Sequence, residues 1–212
     1  MKHALKEETV SKTILNDTRE IYQNEETSLE TYIDQLLEWN QKINLVSRNV
    51  SRETLREHVV HSLLPIALNL MTTHDDWIDT GTGGGLPGIP LAICEPEKTF
   101  ILNDNVRKKM HAVQGIVDSM KLQRVSVEAK SISLVKLKKG TGIVSKHAFK
   151  LPDLLKKLGT QPWKTIIMWK GADEASEELK PYSESFNSTI FRLDFGQDEP
   201  FYEGKALVEI RR

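Results

Sequence analysis

Asp79 stands two positions before Gly81, and Gly81, Gly83 and Gly85 then alternate with other residues, so residues 79–85 read D-x-G-x-G-x-G and run on into Leu86, Pro87, Gly88, Ile89 and Pro90. Glycines at this spacing let a chain turn with positive φ and let a ligand touch main-chain atoms, which is the chemistry of holding a nucleotide-like cofactor. Gly83, Gly85 and Gly88 also satisfy the dinucleotide pattern G-x-G-x-x-G. Register argues against that reading, because Gly81 and Thr82 already separate Gly83 from the preceding strand. Pro87 and Pro90 fit in a first helical turn, but they remove N–H donors that a pyrophosphate would need. A carboxylate ahead of the glycines suits a ligand with an amino group instead. S-adenosylmethionine is such a ligand, with a cationic amino-acid end, a ribose and an adenine.

The loop needs a strand before it and a helix after it, and the chain supplies both in a repeating order. Residues 99–102, 125–127, 142–145 and 163–169 read as further strands, with helices expected at 108–120 and 152–158. Residues 188–195 and 205–210 read as two strands joined by a turn holding Pro200 and Gly204, an antiparallel hairpin on a parallel sheet. The expected fold is therefore α/β: a doubly wound, mostly parallel, seven-stranded class I (Rossmann-like) methyltransferase sheet with a C-terminal antiparallel hairpin. Upstream, Leu29, Tyr32, Ile33, Leu36, Leu37 and Ile43 recur at helical spacing. A second helix is expected from about Ser51, with Pro65 kinking or ending it. These helices form an N-terminal cap over residues 28–72, ahead of the cofactor-binding sheet at 73–212. Residues 1–27, rich in charge, are expected to be a flexible or frayed tail outside this single domain.

Ligands of such sheets lie across the carboxyl ends of the strands. Asp104 follows the second strand of the repeat, where a carboxylate can bind both ribose hydroxyls. Ser131 and Ile132 follow the third, where main chain and an apolar side chain can hold adenine. Lys146, His147 and Phe149 follow the fourth. Arg107, Lys108, Lys109, Lys146, Lys150 and Lys170 all come after strands, so they are expected to make that edge locally positive, as an RNA-facing site requires. Lys136, Lys138 and Lys139 precede a strand and read as a solvated surface run. Asn40 and Asn44 carry amides that can read a guanine edge, although capping or loop hydrogen bonding is the slightly preferred reading of both. His58 and His61 share a helix face without a third ligand at suitable spacing, which favours helix packing over a metal site.

With 39% hydrophobic residues in 212, one sizeable core is expected. A formal net charge of −1 gives no global attraction to polyanions, so nucleic acid has to be met by a local basic patch. One cysteine, Cys94, excludes a disulfide framework. Without a long apolar run or signal segment, a soluble cytoplasmic protein is expected.

The chain resembles the bacterial small-subunit ribosomal RNA guanine-N7 methyltransferase family, known as RsmG or GidB. The resemblance rests on residues 39–45 (W-N-Q-K-I-N-L), 58–63 (H-V-V-H-S-L), 79–91, Asp104 with Arg107 to Lys109, Ser145 with Lys146, 151–154 (L-P-D-L), and Lys170 with Gly171. It implies methyl transfer from S-adenosylmethionine to N7 of one guanosine in 16S rRNA, by a monomer that uses no metal and no membrane. It also implies that Gly81, Leu86, Ser131 and Ile132 touch the cofactor. Lys146 stands where that family usually has arginine, and Ser131 with Ile132 replaces its usual Ala-Glu pair. Both departures imply a weaker grip on the cofactor. Two other functions stay open: a small-molecule methyltransferase, and a catalytically weakened cofactor- or RNA-binding module. Guanine N7 already has an in-plane lone pair, so the implied reaction needs alignment rather than a general base, and no catalytic acid or base is expected.

Overall fold

The computed structural model describes residues 5–212. Eight strands form one sheet: β1 (Leu5–Val10), β2 (Asp76–Thr80), β3 (Thr99–Asn103), β4 (Val125–Glu128), β5 (Thr141–Lys146), β6 (Trp163–Gly171), β7 (Asn187–Leu193) and β8 (Lys205–Arg211). Their order across the sheet is β1-β7-β8-β6-β5-β2-β3-β4. β8 runs antiparallel between β6 and β7, and the remaining pairings are parallel. The C-terminal hairpin on a parallel sheet is as expected. The strand count is not, because β1 joins an edge that the alternation does not reveal.

Among the described residues there are seven α-helices: α1 (Lys12–Asn24), α2 (Glu26–Lys42), α3 (Arg52–Ala67), α4 (Gly88–Cys94), α5 (Arg107–Ser119), α6 (Leu151–Leu158) and α7 (Ala172–Leu179). Alternation along the strands sorts their side chains to two faces. Trp77, Phe100, Leu102, Val144, Ile167 and Trp169 pack in one core with α1 to α5. Ile78, Ile143, Ile166, Met168, Val208 and Ile210 pack in the other with α6 and α7. Helices on both faces explain why every residue of β5 is buried.

Within the cap, α2 presents Leu29, Tyr32, Ile33 and Leu36 to the core, the stripe its spacing predicts. Ser51 caps α3 by accepting from the Thr54 amide at 3.1 Å. Pro65 falls in the last turn of α3, which runs only two residues further.

The expectation of a frayed tail over residues 1–27 requires correction for residues 5–24; residues 1–4 lie outside the described part. β1 pairs with β7 from Leu5 opposite Ser188 to Val10 opposite Leu193. Leu15 of α1 is fully buried, and Arg19 reaches both carboxylate oxygens of Glu199 at 2.6 and 2.7 Å. The charges that made this segment read as a tail lie on the solvent side of an edge strand and an amphipathic helix, where charge also discourages edge-to-edge pairing.

Candidate active site

A cavity of about 580 Å³ opens at the carboxyl ends of β2, β3, β4 and β5, roofed by the 45–50 loop of the cap. Gly81, Gly83, Leu86, Asp104, Ser131, Ile132 and Lys146 line it, whereas Gly85, expected beside them, lies outside the lining and packs against Ile89. Gly81, Gly83 and Gly85 have φ of +76°, +57° and +100°, so the alternation of glycines answers to a run of left-handed backbone.

Asn103, which sequence reasoning passed over, fixes the loop. Its carbonyl accepts from the Gly81 and Thr82 amides at 2.8 and 3.1 Å, its Oδ1 accepts from Thr80 at 3.0 Å, and its Nδ2 donates to the carbonyls of Glu128 and Lys130. One buried amide thus ties the ends of β2, β3 and β4 together. The signal was available, since an asparagine ending an apolar strand must find partners for both donor and acceptor. Tyr32 of the cap adds a bond from its hydroxyl to the Gly84 carbonyl at 3.0 Å.

Asp104 is half-buried at the cavity wall. Its Oδ2 accepts from the Gly83 amide at 3.3 Å and its Oδ1 from the Val106 amide at 2.9 Å, so it holds the loop while facing the cavity.

Asp79 differs from its expectation. It is fully buried and lies outside the cavity lining. Its Oδ2 accepts from the Thr82 hydroxyl at 2.6 Å and from the Gly88 amide at 2.8 Å, bracing the glycine loop against the start of α4. Burial pushes its carboxyl up to about 7. Oδ2 therefore shapes the loop, while Oδ1 is buried without a hydrogen-bond partner among the described residues.

Three of the expected RNA contacts are also corrected. Asn40 is buried: its Oδ1 accepts from the Leu45 and Val46 amides and its Nδ2 donates to the Ser47 carbonyl, so it holds the roof of the cavity. Lys146 is buried, with Nζ donating to the His58 carbonyl at 2.7 Å and to Ser62 at 3.1 Å. Lys170 is buried and paired with Glu174 at 3.3 Å and Glu178 at 3.0 Å. Arg107, Lys108 and Lys150 remain exposed, and Lys109 is half-buried in the cavity wall. Asn44 is exposed on the roof loop, accepting from Arg48 Nε at 2.8 Å.

His61 is buried in an aromatic surround, its ring edge-on to Trp169, Phe201 and Tyr202. Trp39 packs on Gly115, where an added Cβ would lie 2.9 Å from its ring, so the indole seats the cap on α5. Burial, reinforced by Lys146, holds His58 down to about 3 and His147 down to about 4. Neither imidazole is therefore a cation at neutral pH.

A family model described as rRNA small subunit methyltransferase G matches residues 25–194, which takes in the cap, the glycine loop and most of the sheet. The chain belongs to that family. It is a methyltransferase by that membership. A ribosomal RNA small subunit methyltransferase G from Flavobacterium johnsoniae is 35% identical over 179 residues, covering 81% of this chain and 84% of its own. One from Chlorobium limicola is 30% identical over 200 residues, covering 91% of each. Among solved structures, an O-methyltransferase from Bacillus cereus in complex with SAH superposes with a TM-score of 0.58 at 15% identity, covering 85% of this chain and 90% of that one. The 23S rRNA methyltransferase ErmE superposes at 0.51 with 11% identity, covering 77% and 68%. At such identities the structures speak for the fold alone, a Rossmann-like methyltransferase sheet.

A buried lysine such as Lys146 can titrate where the arginine expected here from the family resemblance could not. Burial pushes Lys146 down from 10.5 to about 7, with the Asp79 carboxylate partly opposing. The unfolded chain therefore binds the extra proton between about 7 and 10.5, and stability rises with pH across that window by at most about 1.4 kcal/mol per pH unit. The gain is lost as pH falls through 7. Lys146→Met is expected to flatten this rise in urea-melting midpoints taken between pH 7 and 10. A variant with the wild-type slope would place the titration elsewhere.

Proposed function

We propose that this methyltransferase transfers a methyl group from S-adenosylmethionine to N7 of a guanosine in the 16S rRNA of the small ribosomal subunit. The observation that carries the reading is the 580 Å³ cavity, walled by the left-handed glycine loop and by Asp104, Ser131 and Ile132, in a chain of this family. Those residues fit the cofactor. Gly81 and Gly83 let it approach the main chain, the carboxylate of Asp104 faces the place of a ribose, and buried Ile132 offers an apolar wall for adenine. Bound there, S-adenosylmethionine supplies an electrophilic methyl on a sulfonium.

The chain's own task is alignment. The roof loop held by Asn40, the glycine loop held by Asn103 and the wall at Lys146 to Phe149 fix where an acceptor can sit. Guanine N7 gives its lone pair without first losing a proton, which agrees with a wall whose imidazoles are held far below their ordinary range. Lys146, pushed down to about 7 and engaged by the His58 carbonyl and Ser62, sets no permanent free cation against N7, where one would block attack.

Nucleoside mass spectrometry of 16S rRNA from cells with and without the gene tests the reading. One 7-methylguanosine is expected to be lost with the gene. An unchanged nucleoside profile, with transfer to a small hydroxylated acceptor instead, would establish the small-molecule alternative.

Binding to RNA should follow the exposed cations. Arg107→Ala and Lys150→Ala are each expected to flatten the slope of log affinity against log salt by about one, as each removes one phosphate contact. Lys138→Ala is expected to leave it unchanged, since Lys138 pairs with Asp76 at the opposite end of β2. Filter binding between 50 and 300 mM salt, on the order used for such slopes, reads the difference. A dominant effect of Lys138 would put the RNA on the wrong edge.

A further inference from the structure

Next to the cofactor cavity lies a second hollow of about 290 Å³, lined by His147, Ala148, Phe149, Lys150, Trp169, Lys170 and Glu174. The first three of these residues line both spaces, so the two share a wall. His147 stands in that wall with φ of +55°, left-handed backbone that a non-glycine residue seldom adopts and that recurs at functional sites.

Two carboxylates approach this hollow from α7, and they differ in what remains free. Glu178 is largely enclosed, and both its oxygens are engaged, one by Lys170 and the other by the Leu151 amide at 2.7 Å. The Glu174 side chain is 50% exposed. Among the described residues only its Oε1 accepts a hydrogen bond, from Lys170. Although burial works to raise the Glu174 carboxyl, the Lys170 ammonium, helped by neighbouring Glu178 and Lys150, outweighs it and holds the group below the usual carboxylate range. Lys170 also has Glu178, so Glu174 is not needed to neutralise it.

A guanine entering with N7 toward the cofactor has its N1–H and N2–H₂ donors on the far side of the purine, toward the outer hollow. A carboxylate is the acceptor that matches two adjacent donors. Phe149, half-buried in the shared wall, offers a ring against which a base can stack. We propose that Glu174 is a specificity-determining residue that receives the N1–H and N2–H₂ of the acceptor guanine in this hollow, an inference that rests on guanine N7 as the acceptor. The pairing also acts on rate. Alkylation at N7 makes the purine cationic and its N1–H and N2–H₂ stronger donors, so a carboxylate on that edge gains strength in the transition state.

The test compares 16S rRNA carrying guanosine or inosine at the mapped acceptor position, with the full-length wild type, Glu174→Gln and Glu174→Ala, under single-turnover conditions. Inosine lacks N2–H₂ but keeps N7. Wild type is expected to methylate inosine roughly 10- to 100-fold more slowly than guanosine, whereas each variant loses rate on guanosine and discriminates less than about 3-fold. Full discrimination in both variants, or none in the wild type, would overturn the role of Glu174 while N7 methylation stands. Wild type that forms no 7-methylguanosine on guanosine RNA would overturn the underlying reading, and this inference with it. Binding of S-adenosylhomocysteine is expected to be the same in all three proteins, and a loss in the variants would assign Glu174 to the frame of the cofactor cavity instead.

Discussion

Gly83→Val is expected to weaken S-adenosylhomocysteine binding by about 100-fold or more, equal to about 2.8 kcal/mol. Gly83 sits at φ of +57° on the cavity wall, and its new side chain would find only the Leu45 carbonyl, at 3.6 Å, on the protein side. The protein thus has room for the added Cβ, and the conflict lies with the loop's dihedrals and the ligand's space. Strain of about 1–3 kcal/mol accompanies the change, because a β-branched residue is poor in left-handed backbone. Gly81 makes the contrast, since a Cβ there would lie 2.3 Å from that of Ala148 and disturb the frame itself. Calorimetry on wild type and Gly83→Val, with melting curves of both and of Gly81→Ala, separates the effects. Unchanged affinity in Gly83→Val would mean that the cofactor lies elsewhere.

Asp79→Ala is expected to cost about 3–5 kcal/mol of stability, with Asp79→Asn costing much less. Alanine leaves the Gly88 amide and the Thr82 hydroxyl without their buried acceptor, at about 1–3 kcal/mol each, and opens a small void besides. Asparagine keeps an acceptor oxygen and removes a charge that burial already disfavours. For a domain of this size 1 kcal/mol moves Tm by about 2–4 °C, so alanine should lower it by roughly 6–20 °C. If Asp79 instead gripped the amino end of the cofactor, Asp79→Asn would lose affinity steeply while melting normally. That pattern would return Asp79 to the ligand-contacting role its spacing first suggests.

Asp79 shows what the sequence holds and what it lacks. Its distance from the glycines marks the loop, and the loop is where the cavity lies. Which way the carboxylate faces depends on the Gly88 amide and the Thr82 hydroxyl, and these meet it only once the chain has turned. Lys146 and Lys170 follow the same logic. Their positions after strands put them on the carboxyl edge, but burial and partners decide whether they face solvent. For Lys170 a hint was present, since Glu174 and Glu178 follow at helical intervals of four and eight. For Lys146 there was none, because its partners come from α3, some 84 positions earlier for Ser62.

The parallel strands were legible because buried parallel strands read as continuous apolar runs. β1 was not. Its two end residues, Leu5 and Val10, are the ones sheltered, and the four between are exposed. Asn40 was legible as part of a motif, but spacing alone does not separate an amide that reads a base from one that ties a loop.

The placement of β1 also bears on how the protein is made. A chain grows from its N-terminus, so Leu5–Val10 leaves the ribosome long before β7, the strand it must join. The same delay holds for Lys12, whose partner Asp198 lies 186 residues downstream, and for Arg19, which waits for Glu199. Parallel pairing at such separation closes late, because the loop entropy is spent before the contact rewards it. The sheet around the glycine loop can therefore assemble from residues already synthesised while the edge of the domain is still open. Synthesis of β7 and β8, rather than emergence of the first half of the chain, sets the earliest moment at which the outer edge can be sealed.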